Sequence, residues 1–219
     1  MRKRPEPTTT AFAILGMLAS RPMTSYELAK GFDRSVRRLW PRARSKLFEA
    51  PKHLVALGYA RAARERTGAR WKTVYAITPS GRRALAAWLS RPGEGPALEF
   101  EQLLKIFFAE HGSKKAVVAN LEGAAAWAAA QMEEQLAAGR RSLEGADAFQ
   151  ARAGQVTIAG TFLTEFALMV DRWARWALGV VKRWPENAAS AKPDRPALVS
   201  ITRRLERRLR ELRNEEKAV

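Results

Sequence analysis

Cationic and hydrogen-bonding side chains are concentrated between residues 40 and 83, where their chemistry suits contact with phosphates and base edges. Trp40-Pro41 marks the start of a predicted helix, because proline at the first helical position gives up only an amide that has no helical partner. Leu47, Leu54 and Leu57 recur at the spacing of one buried helical face. The opposite face carries mainly polar and charged residues: Arg42, Ser45, Lys46, Glu49, Lys52 and His53. Such a helix can read a duplex groove, although an isolated basic helix is also compatible with ordinary solvated surface.

A basic hairpin is predicted directly after this helix. Gly58 ends the helix, a strand follows from Tyr59 to about residue 66, and Thr67-Gly68 is a turn signal. The returning strand alternates Trp71, Thr73, Tyr75 and Ile77 against smaller or charged residues, which is the period-two pattern of a strand. Its cations are free to contact phosphates, since a short hairpin has little core: Arg61, Arg64, Arg66, Arg70 and Lys72, opposed only by Glu65.

Three further helices complete the predicted domain. An apolar helix spans about residues 8 to 19, and the Thr24 and Glu27 spacing of a capping box opens a second helix. Thr78-Pro79 starts another helix after the hairpin. The order of helix, helix, basic helix, basic hairpin and helix predicts a winged helix-turn-helix domain, in which three helices precede a two-stranded wing and one more helix follows it. A secretory signal is the alternative interpretation of residues 1 to 19, but removing them would take away a wall of this core.

The charge of the chain is unevenly distributed. The 219 residues carry a net charge of +17. Residues 1 to 90 hold 19 Lys and Arg against 5 Asp and Glu, and the remaining 129 residues hold 20 against 17. The excess positive charge therefore lies in the predicted winged-helix domain, which favours a nucleic-acid partner. An anionic membrane surface would also attract a basic protein, but it does not explain cations placed on a helix and hairpin with a packed core behind them.

Groups suited to catalysis or metal binding are scarce. The only histidines, His53 and His111, fall in different predicted domains, and the chain has no cysteine. We therefore expect no enzymatic activity, no metal and no cofactor. The absence of cysteine is compatible with a cytoplasmic location. No apolar run approaches the 18 to 20 residues that span a bilayer, so no membrane association is expected.

The second half is predicted to be helical and separate. Residues 92 to 97 form a linker rich in Pro and Gly, so the winged-helix domain spans residues 1 to 91. Helices follow from residue 98, from the cap Ser113 and from about residue 148, giving an all-helical domain over residues 98 to 184. The last of these helices is apolar over more of its circumference than one partner helix needs, which predicts a homodimer. The fold class is therefore mainly α.

Residues 185 to 219 comprise a polar spacer and a basic C-terminal helix. This helix carries leucines and one isoleucine at spacings of three and four residues, which form an apolar seam among many arginines. Three roles stay open for it: packing on its own domain, a coiled contact between chains, and additional nucleic-acid contact.

The pattern of motifs resembles the family of PadR-like transcriptional regulators. The resemblance extends over about residues 9 to 184. It rests on these segments: Ile14-Leu15-Gly16-Met17-Leu18, Thr24-Ser25-Tyr26-Glu27-Leu28, Trp40-Pro41 with Leu47-Phe48, Leu54 to Gly58, Val74-Tyr75-Ala76-Ile77-Thr78 leading to Gly81, and Leu103-Leu104-Lys105-Ile106-Phe107-Phe108. Two positions depart from the family pattern. Phe48 replaces the usual tyrosine, and Pro51 replaces a leucine and is predicted to bend or tighten the recognition helix near Leu47.

The resemblance implies a dimer that binds double-stranded DNA at a roughly palindromic operator, most commonly as a repressor. The implied helix contacts are Arg42, Arg44, Ser45, Lys46, Lys52 and His53, and the implied wing contacts are Arg64, Arg66, Arg70 and Lys72. Ser25 and Tyr26 are expected to hydrogen-bond the DNA backbone. A small aromatic effector held by Trp127, Trp173 and Trp176 is a further implication, with simple core packing as the alternative for these residues. A sequence-tolerant architectural protein is the competing interpretation of the charge.

Overall fold

The computed structural model describes residues 7–41, 46–67, 70–145 and 152–217, and the predicted contacts Arg42, Arg44 and Ser45 lie outside them. The chain divides into two compact units, Met1–Pro96 and Ala97–Val219. Each unit is described separately below.

Unit 1 combines four helices with a small antiparallel sheet. Three threonines begin helices as N-caps: Thr8, Thr24 and Thr78 each accept a hydrogen bond from a backbone amide of the first turn. The elements in chain order are α1 (Thr9–Leu18), β1 (Met23–Thr24), α2 (Ser25–Ser35), α3 (Ala50–Ala56), β2 (Ala60–Thr67), β3 (Arg70–Ile77) and α4 (Pro79–Leu89).

The core of unit 1 is built around α1. Ile14 and Leu15 of this helix are completely buried, and they lie in one cluster with Phe32 of α2, Leu54 of α3 and Tyr75 of β3. The first helix is therefore a wall of the core, as the sequence predicts, and its apolar residues are needed for folding.

The sheet has three strands in the order β1-β3-β2, all antiparallel. β2 and β3 form the predicted wing, with Ala60 paired to Ile77 at its base and Thr67 paired to Arg70 at its end. The short strand β1, which pairs Met23 with Tyr75, adds one strand to the predicted two. It connects α1 and α2 to the base of the wing.

The recognition helix is shorter than predicted. The sequence indicated a helix from Pro41 to about residue 57, whereas the regular α-helix α3 spans only Ala50–Ala56. Pro51 lies in the first turn of α3, and residues 47–49 form a turn before it. Because proline has no amide hydrogen and its ring clashes with the carbonyl four residues earlier, a regular helix cannot continue from Leu47 through Pro51. The sequence predicted a bend within a longer helix near Leu47. In the structure the helix α3 begins at Ala50 instead, with Pro51 in its first turn.

Unit 2 is helical. Its elements are α5 (Glu101–Phe107), a single 3-10 turn (Ala109–His111), α6 (Lys114–Leu143), α7 (Ala153–Lys182), a second 3-10 turn (Ala188–Ser190) and α8 (Arg195–Lys217). The start of α6 packs against the end of α7, where Val117 and Leu121 contact Ala177 and Val181, so these long helices are antiparallel. Buried alanines let them approach closely: Ala124, Ala128, Ala167 and Ala174.

Helix α7 corrects one expectation from the sequence. By length and composition it is apolar enough to cross a bilayer, and only 11% of its most apolar window is buried within the chain. A core helix of a soluble protein passes the same test, and α7 packs against α6 through buried residues between Ala167 and Val181. Large apolar side chains of α7 nevertheless stay exposed among the described residues, including Ile158 and Phe162.

Candidate nucleic-acid interface

The helix candidates that the structure describes lie on the exposed side of α3 and in the residues just before it. Leu47 and Leu54 are buried in the core of unit 1, and this fixes Lys46, Lys52 and His53 on the opposite, exposed side. The Lys52 ammonium lies 3.2 Å from a carboxylate oxygen of Glu49, in an exposed pair. Part of the Lys52 charge is therefore offset locally.

Trp40 anchors the chain just before the undescribed residues 42–45. Its indole Nε1 donates a hydrogen bond to the Thr10 hydroxyl at 3.1 Å, which satisfies a buried polar side chain of α1. The segment that leads to the predicted helix contacts is therefore held to α1 by this hydrogen bond.

The wing presents two different faces. Arg64 is paired with Thr73 and Arg66 with Trp71, so these side chains share the face whose base, at Ala60 and Tyr75, packs into the core. The Arg64 guanidinium lies over the Trp71 ring, 5.6 Å from its centre, and Trp71 is 60% exposed. This exposed arginine and tryptophan pair suits contact with a sugar-phosphate edge.

The other wing candidates differ in position. Lys72 lies on the opposite face of the wing, paired with Glu65, so an acidic neighbour reduces its effect on a phosphate. The backbone of Arg70 pairs with Thr67 at the end of the hairpin, and its side chain lies outside the described residues.

The N-terminus of α2 holds Ser25 and Tyr26. Tyr26 is 72% exposed and Ser25 is half-buried. The Glu27 carboxylate accepts hydrogen bonds from the backbone amide and hydroxyl of Thr24, completing the predicted capping box. These two bonds, then the Arg21 guanidinium at 3.0 Å, lower the pKa of Glu27 to about 2. A carboxylate already lies at this helix start, so the exposed Tyr26 hydroxyl is more accessible to an anionic group than the first-turn amides are.

Trp71 is a candidate interface residue that the sequence analysis did not single out. Its type and its place in the alternating strand were visible, but its proximity to Arg64 depends on the register between β2 and β3. Further positive charge lies at the end of α2, where burial and the neighbouring Arg37 lower the pKa of the Arg38 guanidinium.

The three tryptophans proposed for an effector occupy different surroundings. Trp173 packs against the α6–α7 core and contacts the Phe100 ring edge-on at 5.6 Å. Trp127 contacts Phe166 edge-on at 6.1 Å, and Trp176 is 52% exposed. The groove of about 590 Å³ described in unit 2 is lined instead by residues 98–101, 103, 104 and 107.

Comparison with known proteins finds similarity to one family of regulators. Residues 14–87 match the model of the transcriptional regulator PadR-like family. A probable transcriptional regulator of Mycobacterium tuberculosis is 36% identical over 93 residues, which are 39% of this chain and 49% of that protein, so the match spans about half the length of the relative.

Two solved structures show the same fold. Bacillus subtilis PadR in complex with operator DNA has a TM-score of 0.68 and 19% identity, covering 80% of this chain and 99% of that one. Bacillus subtilis PadR in complex with p-coumaric acid has a TM-score of 0.63 and 20% identity, covering 80% and 100%. The mainly helical, winged-helix fold is thus confirmed, and residues 14–87 of this chain are similar to the PadR-like family of transcriptional regulators.

Proposed function

We propose that this protein is a sequence-specific DNA-binding regulator that acts in the cytoplasm as a homodimer on an inverted-repeat operator. The proposal rests on one observation: two cationic surfaces, one at α3 and one on the wing, are attached to the same core. Lys46 and His53 are exposed beside α3, and Arg64 and Arg66 lie on the wing face that continues from the same core. Positively charged helix and hairpin surfaces of this kind suit a major groove and its flanking phosphates. The operator DNA bound to the similar Bacillus subtilis protein supports this proposal.

Dimerisation is proposed from the exposed apolar surface of unit 2. Large apolar side chains of α5 and α7 lie in water in the single chain: Phe107 is 76% exposed, Ile158 76%, Phe162 56% and Trp176 52%. Exposed apolar surface of this extent marks a protein interface, and closed two-fold dimers are the commonest homo-oligomers. A two-fold dimer would present two recognition surfaces to two half-sites of an inverted repeat.

Site selection from a random duplex pool tests the proposed specificity. A regulator should enrich one short inverted repeat and bind it about a thousandfold or more tightly than unrelated duplexes. The large positive charge of residues 1 to 90 also fits a sequence-tolerant architectural protein, which would bind all duplexes equally at every ionic strength. Equal retention of every sequence would replace the proposal with that alternative.

The variant Lys46→Ala tests the helix contact. We expect it to weaken operator binding by about three- to tenfold, because it removes one phosphate or base contact. Lys105→Ala serves as a control of the same residue type in unit 2, where Lys105 is paired with Glu101 at 2.7 Å. Equal losses in a salt-matched titration would exclude this assignment.

Repression relieved by a small aromatic effector is the finer part of the proposal. It is supported by the p-coumaric acid bound to the Bacillus subtilis protein and by the aromatic side chains of unit 2. Titration of tryptophan emission with p-coumaric acid should show saturable quenching that decreases in Trp127→Phe and Trp176→Phe. Absence of quenching, together with unchanged operator affinity, would remove this effector from the proposal.

A further inference from the structure

Helix α8 has an apolar stripe that no residue in the described part of the chain covers. The helix is described in full, and none of its residues is buried. Five apolar side chains recur at spacings of three and four residues along one side, with exposures between 38% and 60%: Leu198, Ile201, Leu205, Leu209 and Leu212. The remaining surface between residues 203 and 213 carries six arginines against two glutamates. An exposed helix with this pattern is built to pack against a partner.

A second uncovered apolar surface lies around α5. Leu98, Leu104, Phe107 and Phe108 are 52–76% exposed, and the first three of them line the groove of about 590 Å³. This segment is acidic, since residues 97 to 112 hold three glutamates and one lysine. Glu99 and Glu101 line the groove itself, and the Glu101 carboxylate is also paired with Lys105 at 2.7 Å.

We propose that α8 of one copy docks on the α5 groove of a second copy, and that the exchange is reciprocal. The inference rests on the proposed homodimer and assigns one of its contacts. Both surfaces are apolar, they carry opposite net charge, and both are exposed in the single chain. A chain whose two complementary surfaces are both left open by its own fold can cover both in a closed two-fold pair. With 23 residues, α8 is about 35 Å long, which is sufficient to cross a neighbouring subunit.

Other partners fit α8 less completely. A nucleic acid would engage the arginines but leave the apolar stripe in water. Two α8 helices paired with each other would bring their arginine-rich segments together, whereas the acidic rim of the α5 groove attracts them.

Cysteine cross-linking tests the contact cleanly, because the chain has no cysteine of its own. Chains carrying Leu104→Cys and chains carrying Leu205→Cys, with different tags, are mixed and treated with a short bis-maleimide. We expect a covalent product that contains both tags. Arg207→Cys provides the matched control: it lies on the same helix as Leu205 but about half a turn away from the stripe. It should give at least about tenfold less product.

The outcomes separate this inference from the proposed dimer. If light scattering shows a dimer but Leu205→Cys gives no more product than Arg207→Cys, the α8 contact is wrong and the dimer stands. A variant that carries both Leu104→Cys and Leu205→Cys tests contact within one chain. A cross-link inside that single chain would also contradict docking of α8 on a second copy. If light scattering shows a monomer at all concentrations, both the dimer and the contact are wrong.

A second experiment changes only α8 and leaves the α5 groove unsubstituted. Leu205→Glu with Leu209→Glu should raise the dissociation constant of the dimer at least about tenfold, because it places charge in the apolar stripe. Arg207→Glu with Arg210→Glu, away from the stripe, should change it much less. Equal effects of the two pairs would contradict docking through the stripe.

Discussion

Gly81 illustrates how a single residue fixes the base of the wing. A Cβ atom at this position would lie 2.1 Å from the carbonyl oxygen of Tyr59, which is backbone and cannot move aside as a side chain would. Thr78 also joins the start of α4 to the residues before β2, a contact called the junction below. Its hydroxyl donates to the Gly58 carbonyl at 2.8 Å and accepts from the Gly81 amide. The approach of α4 to the start of β2 therefore requires a residue without a side chain.

The variant Gly81→Ala should destabilise unit 1 by about 3 kcal/mol, the size expected when backbone must shift in a packed core. Urea unfolding followed by circular dichroism measures this. Gly16→Ala is the matched control in α1, where a Cβ would meet nothing within 4 Å. The control should stabilise the helix by about 0.5–1 kcal/mol. Similar stability of the two variants would show that the junction is looser than described.

Glu27 predicts a pH dependence of stability at acidic pH. Its pKa is lowered to about 2 in the folded chain, so it binds a proton less readily than in the unfolded chain. Its contribution is therefore present above its ordinary pKa of 4.5 and is lost as the pH falls towards 2. Because its side chain is 39% exposed, we expect only about 1 kcal/mol. The variant Glu27→Gln keeps the capping hydrogen bond without the charge, so its free energy of unfolding should not show this loss. If the free energies of unfolding of the two proteins ran parallel from pH 5 to 2, the prediction would be wrong.

At the scale of the element, the two faces of the wing carry different side chains. Its register places Arg64 and Arg66 with Trp71 on the face whose base packs into the core, while Arg61 and Lys72 lie on the other face. Because neighbouring residues of one strand point to opposite faces, β2 offers its own internal control for DNA contact.

Arg64→Ala should weaken operator binding more than Arg61→Ala, the same change in the same exposed strand. We expect a loss of about three- to tenfold for Arg64→Ala and a fall of about one in the slope of log affinity against log salt. Fluorescence anisotropy at several salt concentrations measures both quantities. A larger effect of Arg61→Ala would mean that the opposite face of the wing meets DNA.

Element types were more predictable from the sequence than the geometry of the interface. The caps Thr24, Thr78 and Ser113 begin helices as their local spacing indicated, because a cap acts within a few residues. The recognition helix was predicted too long because helical periodicity outweighed the local effect of Pro51. The contact of the Arg64 guanidinium with the Trp71 ring could not be derived, since strand register is set by the turn and by long-range packing.

At the scale of the whole molecule, charge and apolar surface are divided between the two units. Residues 1 to 90 carry most of the net charge, while α5, α7 and α8 of unit 2 leave large apolar side chains in water. This division is expected of a dimer that joins two cationic surfaces through an apolar interface. The homodimer was predicted from sequence through the breadth of the apolar face of α7. Which surfaces meet depends on a partner copy, and no periodicity within one chain specifies it.

The central claim is that the cationic surface of α3 and the wing face of Arg64 bind a double helix selectively. The most direct test is to titrate the purified protein with the inverted repeat obtained by selection and with a scrambled duplex of equal length, over a range of salt concentrations. We expect the inverted repeat to bind about a thousandfold or more tightly near physiological salt, with affinity that falls steeply as salt rises. Identical isotherms for the two duplexes, or no binding to either duplex in dilute buffer, would contradict the claim.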